Sequence, residues 1–178
     1  MHLACSNRAS EEAVELILEG YRNAARVANN YGEVPLHLAC AHQASRKVIE
    51  LLLETNRTTA YRTNDDGGLP LHLACSNQAS KDVIESLLEE YHWLAENENY
   101  TRDLPLHLAC ANQASKTVIQ LLLEADVLNP ARNNQGLKVN AQRFSLQRYW
   151  AGENEEDDEA AGNEVPPKLH RSGHAHIQ

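Results

Sequence analysis

Four histidines each stand three residues ahead of a cysteine: His2 and Cys5, His37 and Cys40, His72 and Cys75, His107 and Cys110. On a helix this separation puts both side chains on one face, so two pairs could ligate zinc, or one pair could act as a cysteine nucleophile with its base. Structural zinc sites gather four ligands around one ion, whereas these pairs advance along the chain without converging. A catalytic pair is normally single and has an electropositive neighbour, while this one is copied throughout. The pairs are therefore read as structural, a histidine tying turn backbone together beside a small buried thiol. No catalytic residue, metal ligand or cofactor is expected. His170, His174 and His176 form a loose tract that reads as solvated tail. There is neither a phosphate-cradling glycine loop nor a carboxylate pair placed for acid/base work.

The elements that must position these pairs are repeated with them. Leu-His-Leu-Ala-Cys occurs at 36–40, 71–75 and 106–110, and the histidines are spaced 35 residues apart. Gln43-Ala44-Ser45 recurs at 78–80 and 113–115, and Val48-Ile49 at 83–84 and 118–119. Self-similarity at such a period marks units that bury their apolar faces only by stacking on neighbours. The cysteines thus occupy one position in successive units. Packed helices lie about 8–10 Å apart and a disulfide needs Cα atoms within about 7 Å. Free, buried thiols in a reducing compartment, cytoplasmic or nuclear, are expected, which would leave the glycosylation sequons Asn56-Arg57-Thr58 and Asn99-Tyr100-Thr101 unused.

Within a unit, Pro35, Pro70 and Pro105 suit a first helical position, where a missing N–H costs nothing. Ser45, Ser80 and Ser115 are N-cap candidates for a second helix, along which Val48, Ile49, Leu52 and Leu53 share one face. A polar stretch from Thr55 to Gly68 then returns the chain to the next proline. Gly32 and Gly67 stand three residues before their prolines, where the next unit has Arg102, whose turn must differ or carry strain.

Pro-Leu-His-Leu-Ala at 35–39, 70–74 and 105–109, followed in phase by Val-Ile and Leu-Leu-Leu, resembles the ankyrin repeat over residues 1–137. The resemblance implies an all-α solenoid of stacked helix-turn-helix repeats joined by hairpin-like loops. Two departures stand out. Val34, Leu69 and Leu104 replace the family's threonine, removing its hydroxyl contact to the motif histidine. Gln-Ala-Ser replaces Gly-His between the helices, and with extra length near the end of the second helix it accounts for 35 residues in place of 33. A longer second helix or a wider loop is expected.

At its start the array opens inside a first helix, a half-built edge that suggests a fragment or a frayed start. At its other end, Lys138–Trp150 is helix-compatible and is expected to form, within 138–152, a degenerate cap over Val118, Leu121 and Leu122. Residues 153–178, with the acidic run Glu153–Glu159, are expected to be a disordered tail. No segment is apolar and long enough for a membrane, and no secretory signal is visible. Residues 1–126 carry 10 basic and 18 acidic side chains, a balance that disfavours nucleic acid and anionic membrane.

What the resemblance implies for function is a non-enzymatic, monomeric scaffold that binds a protein partner through its concave face. In the family that face is lined by turn tips and the exposed side of the first helix. Here these are Asn30 and Tyr31, Asp65 and Asp66, Tyr100 and Thr101, with Ala41-His42, Ser76-Asn77 and Ala111-Asn112 after the cysteines. The acidic turns favour a basic partner. The alternative is a regulatory or targeting fragment of a larger enzyme or channel.

Overall fold

Pro35, Pro70 and Pro105 each open a helix, and Ser10, Ser45, Ser80 and Ser115 each stand just before the next one. In the computed structural model of the chain, which describes residues 1–89 and 91–127, the helices come in pairs: α1 His2–Ser6 with α2 Glu11–Gly20, α3 Pro35–Ala41 with α4 Arg46–Thr55, α5 Pro70–Ser76 with α6 Lys81–Leu88, and α7 Pro105–Ala111 with α8 Lys116–Val127. There is no strand among the described residues. Val34, Leu69 and Leu104 are extended, as a residue before proline must be, and serve as N-caps of α3, α5 and α7. The α1 helix forms without a proline, starting behind Met1.

The serines cap unequally. The hydroxyls of Ser10, Ser45 and Ser115 accept from the N–H groups of Ala13, Val48 and Val118, whereas Ser80 occupies the N-cap of α6 without a side-chain hydrogen bond. Between the paired helices the chain turns through a left-handed residue: Arg8 (φ 52°), Gln43 (55°), Gln78 (55°) and Gln113 (56°). This is where the family's glycine would sit. The added residue after it is a buried alanine, Ala44, Ala79 or Ala114.

The other extra length does not extend the second helix. The chain instead starts a separate 3-10 helix after it, at Arg22–Ala25, Arg57–Tyr61 and His92–Glu96. Asn56 starts the middle one, its Oδ1 accepting from the N–H of Thr58 at 3.1 Å. That sequon asparagine is thus engaged in a turn.

Helices α1, α3, α5 and α7 pack in succession as one layer and α2, α4, α6 and α8 as the other. Leu36, Ile49, Leu52, Leu71, Ile84, Leu87, Ile119 and Leu122 are fully buried between the layers; burying one such side chain contributes about 1.5–3 kcal/mol. The thiols are free. Cys5, Cys40 and Cys75 are buried and Cys110 is half-buried. Of the three residues over which a cap is expected, Val118 and Leu122 are buried and Leu121 is half-buried. The cap expected at 138–152 and the tail at 153–178 lie outside the described residues.

Candidate interaction surface

The motif histidines bind in both directions. In α3 the Nδ1 of His37 accepts from the N–H of Val34 at 3.1 Å, and its Nε2–H donates to the carbonyl of Gly68, 31 residues on, also at 3.1 Å. His72 repeats this with the N–H of Leu69 and the carbonyl of Asp103, each at 3.1 Å. His2 reaches the carbonyl of Glu33 at 3.1 Å. The hydroxyl that valine and leucine lack is thus replaced by a backbone N–H. With both ring nitrogens of His37 and His72 committed, neither can ligate a metal or activate its cysteine. Burial holds both imidazoles below their ordinary pKa and raises the thiols, Cys5 to about 11 and Cys40 and Cys75 further still, far from a reactive thiolate. Among the described residues no three His, Cys, Asp or Glu side chains converge to hold a metal.

The carbonyls that the histidines grip close tight turns. Asn29 Oδ1 accepts from the N–H groups of Tyr31 (2.9 Å) and Glu33 (3.0 Å), and Asn64 Oδ1 from those of Asp66 (3.1 Å) and Gly68 (2.8 Å). Asn99, the other sequon asparagine, accepts from the N–H of Asp103 and the hydroxyl of Thr101, each at 2.8 Å. Gly32 (φ 71°) and Gly67 (φ 73°) supply the left-handed position in the first two turns, and Arg102 (φ 64°) holds it in the third. Space also demands glycine there: a Cβ on Gly67 would lie 2.5 Å from the Tyr100 ring, and one on Gly32 would lie 2.5 Å from Asp65 Oδ1.

Adjacent turn tips are joined through backbone, Asp65 N–H to the Tyr31 carbonyl and Tyr100 N–H to the Asp66 carbonyl, both at 3.0 Å. Asn30-Tyr31, Asp65-Asp66 and Tyr100-Thr101 are thereby brought into one row, and all six are exposed. Tyr31 and Tyr100 are 71% and 76% exposed, large apolar surface left uncovered on either side of two carboxylates.

The residues after the cysteines form a second row, at the first-helix ends. His42, Asn77 and Ala111 are exposed, while Ala41, Ser76 and Asn112 are half-buried. This row is stitched by the side chains of Arg8, Gln43 and Gln78, of which only the glutamines stood out as recurrent in the sequence. Arg8 Nε donates to the carbonyl of His42 at 2.6 Å, and the amides of Gln43 and Gln78 donate to the carbonyls of Asn77 and Asn112, each at 2.7 Å. Asn77 and Asn112 also spend their own amides on the helix carbonyls of Leu73 and Leu108. The signal for the glutamine rungs was the identical residue in the last three inter-helix turns; Arg8, which fills that place in the first turn, carried none.

The arrangement has the phase, helix pairing and histidine-to-turn bonds of one repeat family, and a family model of ankyrin repeats (three copies) matches residues 1–101 and 47–134. The chain belongs to the ankyrin-repeat family. A comparison with curated proteins returned no match. Ankyrin repeats are generally protein–protein interaction modules without catalysis of their own. In this ankyrin array no helix of the described residues is long and apolar enough to cross a membrane.

Proposed function

We propose that the array is a non-enzymatic, monomeric scaffold that binds a basic segment of a protein partner through the face made by its turn tips and first-helix ends. The observation that carries this reading is the tip row, where Tyr31 and Tyr100 stand exposed around Asp65 and Asp66 on backbone already satisfied by the Asn29, Asn64 and Asn99 turns. A surface held this rigidly loses little conformational freedom on binding. Tyrosine beside carboxylate suits an arginine or lysine, through the ring face and through charge.

The test compares the unmodified array with Asp65→Lys/Asp66→Lys in capture from native lysate, followed by mass spectrometry. Proteins recovered by the unmodified array and lost with the variant, at an unchanged melting temperature, support the tip row. Equal recovery by both would move the site elsewhere.

A further inference from the structure

A second exposed aromatic group lies away from the turn tips. Tyr61 ends one 3-10 segment, Tyr91 caps the next and Trp93 lies within it, and their ring centroids lie 6.1 Å (Tyr61–Tyr91), 6.1 Å (Tyr61–Trp93) and 6.4 Å (Tyr91–Trp93) apart. Tyr61 and Trp93 remain 44% and 39% exposed despite packing on one another. The repeat frame does not require the rings of Tyr61 and Trp93, whereas Tyr91 has Tyr21 as a counterpart two units earlier. At a spacing of 35 the counterparts of Tyr61 are Arg26 and Glu96, and those of Trp93 are Asn23 and Thr58. Tyr91 also walls a cleft between α4 and α6 that Glu50, Glu54 and Glu89 line. Arg46 binds Glu50 at 2.6 Å and stands 4.0 Å from Glu89, and Arg57 also lines the cleft, so the local charge is partly balanced. The clefts on either side pair Glu19 with Glu54 and Glu89 with Glu124.

We propose that the Tyr61–Tyr91–Trp93 cluster and the Glu50, Glu54 and Glu89 cleft beside it form a second docking surface, which takes arginine side chains from an extended basic segment of a partner protein. Aromatic rings attract a cation through their negative faces, most strongly for guanidinium over indole. The carboxylates select the cation over a neutral side chain and orient its planar fork. Packed helices are about 8–10 Å apart, and a segment in the polyproline II conformation rises about 3.1 Å per residue with three residues per turn, so arginines at every third position would share one face and meet successive clefts. This surface is independent of the tip row.

Because the chain has two tryptophans, Trp93 and Trp150, a Trp150→Phe background isolates Trp93 emission. The probe is a synthetic peptide with arginine at every third position, titrated at physiological salt, with its citrulline counterpart as the neutral control. Saturable change in Trp93 emission with the arginine peptide alone is expected. Tyr61→Leu should weaken binding about two- to fivefold and Tyr61→Phe should preserve it. Where Tyr61→Leu lowers the melting temperature, Glu54→Gln replaces it and should weaken binding in the same direction. Asp65→Lys/Asp66→Lys should leave the Trp93 response in place even if it abolishes partner capture, which separates this surface from the tip row. No response at about millimolar peptide, an equal response to citrulline, or indifference to both Tyr61→Leu and Glu54→Gln would overturn the proposal.

Discussion

His37 Nε2 lies 3.1 Å from the carbonyl oxygen of Gly68, so one imidazole in a helix holds the turn of the following repeat closed. Because Nδ1 already accepts from Val34, Nε2 must carry the proton, and the ring serves both partners only when neutral. His37→Ala leaves the N–H of Val34 and the carbonyl of Gly68 without this partner in the interior, at about 1–3 kcal/mol per group. Urea denaturation should show a loss of about 2–4 kcal/mol. His2→Ala, at a half-buried rung, should lose less.

The same ring sets a pH dependence. Burial depresses the folded-state pKa of His37 and His72 below 6.5, so below that pH the unfolded chain binds protons that the folded chain refuses. Their contribution is present in full above pH 6.5 and is lost as pH falls toward the depressed values, at up to about 1.4 kcal/mol per pH unit for each histidine. Urea midpoints measured from pH 7.5 to 5 should fall, and His72→Gln should flatten the decline.

Thiol accessibility should follow position in the stack. Cys110, half-buried, should react first with Ellman's reagent at pH 8, while Cys40 and Cys75 should react only at the rate of unfolding. Equal labelling of all four in the native protein would contradict the buried ladder.

The left-handed turn position should favour glycine in Arg102's repeat as it does in those of Gly32 and Gly67. At φ 64° Arg102 holds a left-handed conformation that costs an L-residue about 1–2 kcal/mol. Arg102→Gly should raise stability by about 0.5–1 kcal/mol after the added freedom of the unfolded chain is deducted. Gly67→Ala should lower it by more than about 1 kcal/mol, since the new methyl would meet the Tyr100 ring. Calorimetric melting of the two variants checks both directions.

The helix pairs, their proline and serine starts and the thiol ladder were legible because each follows from local residue type read at a fixed period. The abnormal φ of Arg102 was legible from its alignment with Gly32 and Gly67. The rungs from Arg8, Gln43 and Gln78 were not, because a donor and an acceptor 34 residues apart meet only once the stacking distance is set. Ser80 shows the converse limit: it occupies the capping position and leaves the bond unmade. For the candidate surface, sequence phase identified which residues recur and which vary, but not that the tips are joined backbone to backbone. The Tyr61–Tyr91–Trp93 cluster escaped notice because its members come from different phases of the repeat.

The glutamine rungs, the histidine rungs and the tip bonds all join one unit to its immediate neighbour. Opening a unit inside the array therefore breaks two seams, and opening a terminal one breaks a single seam. Melting should travel inward from the ends as a front, with backbone amides near Ile49 and Ile84 exchanging with solvent deuterium last. A partner that straddles two units would act as a clasp on the seam between them, slowing that front without touching the core.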